Sequence, residues 1–453
     1  MRRSFVLLAA TALVGCGGGG GGGDPLRPTA QRAPEERSRA QAAAALWPRP
    51  ERYSLALAYD ERRFRLAGTQ RIALRNTGPR PLASVWLRTW GNAFGGCGHR
   101  YVRVQVTGGG SAGAERVGCT ALEVRLARAL EPGASTALAL RIRVTAPRRP
   151  DRFGRFAGAA FFGNALPLLA VADADGPRLP PYTFQGESFL SLSAPWDVRL
   201  RLAPGIRAAM TGSTEAGVTT AIARDFAIVA GPLRVIERRA GGVTLRHWRL
   251  RESAADAGSA LRLASAALRS FARWFGPYGR EELDLVEGPS EVARGAGIGM
   301  EYPELVLTPA QPVVVRHEVA HQWWHGIVGN DEYSEPWLDE SFATYSAARL
   351  AGGGRRCAPP RGRPRLTASM KAFGRRDGSD YRRVVYAGGM CALSLLERRL
   401  GRARFDRLLR GVVAQHRDGI LTTADFVAAV RAAAPARVDV DALLRHAGIG
   451  SGR

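Results

Sequence analysis

His317-Glu318-Val319-Ala320-His321, followed further on by Trp337-Leu338-Asp339-Glu340, is the stretch on which the reading of this chain turns. Two histidines four residues apart sit about 40° apart around a helix, so both rings project from one face, one turn apart. Glu340 falls in a second helical pattern. Two neutral imidazoles and a carboxylate suit Zn²⁺, which binds N and O ligands at about 2.0–2.2 Å and keeps a fourth tetrahedral position for water. Glu318 stands beside the histidines without being a ligand, where a general base for that water must be. The spacing predicts a zinc hydrolase with one Zn²⁺ per chain on His317, His321 and Glu340. A core histidine pair would make the rest of the constellation coincidence, and a structural zinc would not require Glu318.

The start of the chain predicts where it works. Met1-Arg2-Arg3 is basic and Phe5 to Val14 is almost wholly apolar, too short to span a bilayer as a mature helix. Residues 1–15 therefore read as a cleaved signal. Leu13-Val14-Gly15-Cys16 resembles the bacterial lipobox, which implies acylation of Cys16 and an extracytoplasmic enzyme anchored to membrane lipid in the cell envelope. An ordinary signal peptide with an incidental cysteine is the alternative. Residues 16–50, with the Gly17 to Gly23 run and a Pro/Arg/Ala-rich stretch, cannot bury a core and read as a flexible tether.

Four cysteines remain, and pairing within each domain (Cys97–Cys119, Cys357–Cys391) is the simplest of three connectivities in an oxidising compartment. A net charge of +25 raises the question of nucleic acid. The excess is almost all arginine, with Lys371 the only lysine, and it is scattered (Arg62-Arg63, Arg148-Arg149, Arg238-Arg239, Arg382-Arg383) without a stripe of interleaved aromatics. No nucleic-acid partner is expected; anionic lipid or envelope polymers fit such a charge better.

From Tyr53 to about Ile236, short runs with period two are broken by Gly, Pro and Asn, as in Gln70-Arg71-Ile72-Ala73-Leu74-Arg75, and predict an antiparallel all-β domain over 51–245. From about Ser253 the period changes. A helix is expected over 260–275, a strand at 283–286, an extended segment over 301–308, and a helix at the histidines with Pro312 in its first turn. Helices over 337–351, 386–400, 403–415, 423–433 and 438–446 complete a catalytic domain over 246–453. The fold class is α+β and multidomain.

These residues resemble the gluzincin aminopeptidases, peptidase family M1, which includes aminopeptidase N and the leukotriene-A hydrolases. Besides the zinc motif, Leu66-Ala67-Gly68-Thr69 and Arg224-Asp225-Phe226-Ala227 resemble the ends of that family's N-terminal β-saddle domain. Gly276-Pro277-Tyr278 resembles the opening of its thermolysin-like, mainly helical zinc domain. Gly299-Met300-Glu301-Tyr302-Pro303 resembles its exopeptidase motif, with Ile298 where the motif has its first Gly and Tyr302 where it has Asn. Tyr386-Ala387-Gly388-Gly389 resembles the segment with its catalytic tyrosine. The resemblance implies a short lipoprotein form that removes N-terminal residues from peptides.

The chemistry assigns roles. Zinc lowers the pKa of its water towards about 7 and polarises the scissile carbonyl, and Glu318 takes the water's proton. A phenol can donate to the developing oxyanion while staying protonated; Tyr386 is the first choice and Tyr381 the second. Glu301 is placed to bind a free α-ammonium, with Gly299 and Met300 beside the substrate. His325, one more turn along the expected helix, reads as a supporting residue, and Trp323, Trp324 and Trp337 as packing. Thr344 is in reach of a ligand histidine, and Gln185 and Glu187 are candidates to line the cleft. A zinc endopeptidase or other zinc hydrolase, or a binding lipoprotein with a relict site, are the alternative readings.

Overall fold

Alternation of apolar and polar residues becomes strand wherever one face can be buried. The computed structural model describes residues 46–449 except 252, 254–255, 289–298, 354–356, 360–361, 363 and 374–377. The expected signal, Cys16 and Ile298 lie outside the described residues. Within them, the N-terminal part is mostly β and the remainder mainly helical. Its largest sheet runs in the order Ser213–Glu215, Val218–Ala223, Ala194–Arg201, Arg49–Asp60, Arg65–Arg75, Ser135–Thr145, Val102–Gly108. All neighbours pair antiparallel except Arg49–Asp60 with Ala194–Arg201, which pair parallel. The two are far apart in sequence, so a long crossover joins them and the antiparallel expectation fails at that one pair. Tyr53, Leu55, Leu57 and Tyr59 point inward and Ser54, Ala56 and Ala58 alternate outward.

Two expectations need correction here. Leu46–Pro50 belongs to the domain and not to a tether: Trp47 N donates to Ala172 O at 3.0 Å, and the first strand begins at Arg49. Close contact between the indole and Gly78, where a Cβ would lie 2.6 Å from the ring, holds that end. Residue 246 lies inside the strand Val243–Arg249, which pairs antiparallel with Arg234–Ala240 and parallel with Glu282–Val286, so one sheet runs on across that point.

The helix Ala257–Phe275 starts at the N-cap Asp256, whose side chain accepts from Ser259 N, and stops at Gly276 with φ 99°. Its apolar stripe, including Leu268, Phe271 and Phe275, packs on Trp323 and Trp324. Each such fully buried side chain stabilises the domain by about 1.5–3 kcal/mol. Both expected disulfides form, Cys97–Cys119 and Cys357–Cys391, with Cα separations of 5.2 and 5.4 Å.

Arginines from the β part clamp the helical part. Arg224 donates to His325 O at 2.7 Å and to Gly419 O at 3.3 Å. Arg178 bonds Asp331 at 2.7 Å. In the other direction Glu332 Oε2 accepts from Phe189 N at 3.0 Å. These contacts fix the segment around Glu187 against the histidine helix.

Candidate metal centre and active site

Pro312 begins the helix Pro312–Ala320 at a position where no amide donor is needed, and Gln311 before it is extended. His317 lies in its last turn and His321 at its C-cap. The helix does not continue. Gln322–Ile327 is a π-type turn in which Trp324 (φ −100°, ψ 52°) and His325 (φ 170°, ψ −59°) leave helical geometry. That break frees Trp324 O from a helical bond, and it lies 3.2 Å from His321 Nδ1, orienting the ring from behind. It also turns His325 aside. Expected one turn further along the same face, His325 sits instead with Nδ1 3.0 Å from Glu332 Oε1.

Glu340, on the helix Trp337–Leu350, closes the triad. His321 Nε2 lies 3.0 Å from His317 Nε2, and Glu340 Oε2 lies 3.1 Å from His317 Nε2 and 3.5 Å from His321 Nε2. A tetrahedral ion with bonds of about 2.1 Å holds its ligands about 3.4 Å apart, so this triangle has the size a zinc requires. Electrostatics point the same way. Glu187, Glu301, Glu318, Glu340 and Asp339 are all buried near one another, with Arg152, 2.7 Å from Glu187, as counter-charge. Burial pushes the Glu318 carboxyl up to about 8, partly offset by His321 and reinforced by Glu340 and Glu187. Burial likewise takes Asp339 to about 8, with the Glu340 charge adding to it. Burial opposes ionisation of Glu340 too, but its bonds to His317 and His321 win and hold it well below the usual carboxylate range. A dication at the triad relieves this crowding of acids. The donor set fits zinc.

Glu318 Oε2 and Glu301 Oε1 are buried with no hydrogen-bond partner, so each has capacity for a proton or a ligand. Gly299 lies directly over the first: a Cβ there would come within 1.7 Å of Glu318 Oε1. The 301–308 segment is not extended throughout, as the sequence suggested. Met300 and Leu307 exchange backbone bonds of 2.9 and 2.8 Å, and the chain turns between them through Glu304 with φ 60°. Gln322 fastens that turn to the histidine helix, its amide accepting from Glu304 N at 2.8 Å and donating to Tyr302 O at 3.1 Å. Tyr302 is accommodated in a specific way. Its phenol donates to Asn164 Oδ1 at 3.1 Å and occupies the space a Cβ on Gly163 would take. Burial pushes the Glu301 carboxyl well up; His321 opposes this, and Glu187, Glu340 and Glu318 add to it.

Tyr386 stands at the triad, within the π-type turn Arg382–Gly388 and not at the start of a helix; the helix itself begins at Gly389. Its phenol donates to Glu340 Oε1 at 2.5 Å and its ring stacks on His317. Tyr381 is buried behind it, edge-on to Tyr386 and against Gly186. Thr344 Oγ1 is 3.5 Å from His317 Nδ1, a long contact. Glu187 reaches the cluster, its carboxylate oxygen close to those of Glu301 and Glu340. His325 keeps the supporting place expected of it, through Glu332; Arg152 and Glu332 themselves carried no sequence signal, because their only mark is proximity after folding.

The model for "Peptidase family M1 domain" matches residues 309–357, the segment holding His317, Glu318, His321 and Glu340. Aminopeptidase B of Rattus norvegicus is 28% identical over 182 residues, 34% of this chain and 28% of that protein. The Homo sapiens protein of that name gives the same identity and coverage. The match thus spans a little over a quarter of the length of these relatives. Among solved structures, the M1 zinc metallopeptidase from Deinococcus radiodurans superposes with a TM-score of 0.62 at 20% identity, covering 90% of this chain and 94% of that one. A mutant of that enzyme bound to a Tyr-Ser-Ala substrate gives the same score, with 96% of its chain covered. The family model thus lies on the ligand segment, and the chain shares the fold of M1 zinc metallopeptidases along nine-tenths of its length.

Proposed function

We propose that the chain is a zinc aminopeptidase, with one Zn²⁺ held by His317, His321 and Glu340. The observation that carries the exopeptidase reading is Glu301, a buried carboxylate with an unpartnered oxygen next to a second carboxylate, Glu187. Arg152 balances Glu187 and leaves Glu301 in need of a cation, which the α-ammonium of a peptide supplies.

When bound, the zinc supplies Lewis-acid polarisation of the carbonyl and a nucleophilic water at neutral pH. Glu318 accepts the proton of the attacking water on the oxygen that has no partner and then returns it to the leaving amine. Tyr386 donates its phenolic hydrogen to the developing oxyanion; burial first, then the Glu340 charge, raises its pKa, so it stays protonated throughout. Glu301 and Glu187 fix the ammonium and thereby the first peptide bond. Gly299 and Met300 flank the substrate where a side chain on residue 299 would displace the base.

The experiment is a panel of aminoacyl-coumarins, each with and without an N-acetyl block. Turnover restricted to free amines supports the reading, and equal turnover of both turns it to an endopeptidase. For location, we propose acylation at Cys16 and a place at the cell envelope on membrane lipid. Membrane-fraction recovery lost in Cys16→Ser supports this, and an unacylated, soluble wild-type protein rules it out.

A further inference from the structure

Five adjacent strands of the seven-stranded sheet, from Ala194–Arg201 to the edge strand Val102–Gly108, turn one face away from the core, and that face is basic. In register across it lie Arg201, Ala58, Ala67, Arg143 and Arg103, and beside that row Arg199, Ala56, Thr69, Arg141 and Gln105. Arg71 belongs to the next row, opposite Ser54 and Ala139. Arg71, Arg103, Arg141, Arg143, Arg199 and Arg201 are all exposed. Among the described residues, none of the six has an acidic partner, whereas the face's acids are already paired, Asp197 with Arg52 and Asp60 with Arg63 and Arg65. Arg143 and Arg103 are direct cross-strand neighbours, an arrangement that costs stability in an isolated sheet.

We propose that this face is a docking surface for an anionic lipid bilayer. Five strands at about 4.8 Å make it about 19 Å wide, a broad surface and not a groove that would follow one polymer strand. Its central strands present small side chains, so it offers no aromatic platform on which bases could stack. Guanidinium forks suit phosphate oxygens, and many weak contacts add over a plane of headgroups. The first strand of this sheet begins at Arg49, 33 residues after Cys16. Thirty-three residues can span about 30 Å or more, enough for an acylated Cys16 and this face to engage one leaflet. The choice of lipid rests on the envelope location proposed above, while the face itself rests on register and charge.

The test uses the full chain carrying Cys16→Ser, so that acylation cannot contribute, and sedimentation with vesicles of phosphatidylglycerol and phosphatidylcholine or of phosphatidylcholine alone. The chain should bind the anionic vesicles, ignore the neutral ones and release as salt rises. Each arginine near an anionic surface strengthens binding about fivefold, so Arg141→Glu/Arg143→Glu/Arg199→Glu should weaken it roughly 100-fold or more. Aminoacyl-coumarin turnover should be unchanged in that variant, which shows that it folds. Arg407→Glu/Arg437→Glu, on exposed positions of the helical part, should bind as the parent does. No binding to anionic vesicles, or equal loss in both variants, overturns the proposal. Tighter binding to single-stranded DNA than to vesicles at the same salt overturns the choice of lipid. Acylation of Cys16, read by mass spectrometry of the wild type, is a separate result.

Discussion

The Tyr386 phenol donates a 2.5 Å hydrogen bond to Glu340 Oε1, while Glu340 Oε2 faces both histidines. One carboxylate therefore ties the phenol to the metal triad, and the same donor is within reach of an oxygen that arrives there. Tyr386→Phe should keep the zinc and lower kcat about 10²–10³-fold, the usual worth of one oxyanion donor. Steady-state kinetics with metal analysis checks this. Full activity in Tyr386→Phe together with loss in Tyr381→Phe would move the role to the second tyrosine.

Gly299 supports the base by having no side chain. In Gly299→Ala the new Cβ meets Glu318 from Cγ, at 2.6 Å, to Oε1, so the base must leave its place while the contact spares the backbone. Misplacing a catalytic group by about 1 Å costs about 10²-fold. The variant should keep its melting temperature within a few degrees and its zinc, and lose activity by about that factor. Wild-type kcat in this variant would mean that Glu318 is not held as described.

Removing the metal should loosen the catalytic domain, since the buried acids around His317 and His321 then lack their main counter-charge. A ligand present at about 100 times its Kd stabilises the native state by about 2.7 kcal/mol, so chelation should lower Tm and added zinc restore it. The double variant His317→Ala/His321→Ala should bind no stoichiometric zinc and show no zinc-dependent Tm. Retained zinc in that variant would refute the ligand assignment.

The zinc helix, the strands and the helix order were legible in the sequence because period and spacing report directly on faces. What was not legible came from tertiary contacts. Nothing in Gln322-Trp323-Trp324-His325 announces a π-type turn, since the break is held by Trp324 O on His321 and by Arg224, far away in sequence, on His325 O. Tyr302 reads as a departure from a motif until Gly163 and Asn164 show the space and the acceptor it uses. Glu187 reads from the sequence only as a candidate to line the cleft, and its partners Arg152 and Glu301 come beside it only on folding.

His247 gives a pH signature remote from the metal. It is fully buried in the strand Val243–Arg249, with both ring nitrogens unpartnered. Burial, with help from Arg249, lowers its pKa to about 4. Above pH 6.5 neither the folded nor the unfolded state holds its proton and the group contributes nothing. As pH falls from 6.5 towards 4, only the unfolded state takes the proton, so the fold loses about 1.4 kcal/mol per unit, up to about 3 kcal/mol. His247→Leu should remove this loss. Urea unfolding of both proteins at pH 7 and 4.5 should show the variant gaining about 2–3 kcal/mol on the wild type at the lower pH. An unchanged difference between the two would contradict the assignment.

The central claim is that Glu301 makes the site an aminopeptidase, and the most direct measurement is kcat/KM on paired free and N-acetylated aminoacyl-coumarins, for the wild type and Glu301→Ala. A charge-assisted contact to the α-ammonium contributes about 1.5–3 kcal/mol, so acetylation should cost the wild type roughly 10–150-fold. Glu301→Ala should lose a comparable factor on free amines and little on blocked ones, bringing the two rates together. Equal rates on free and acetylated substrates with Glu301 intact would contradict the account and leave a zinc endopeptidase in its place.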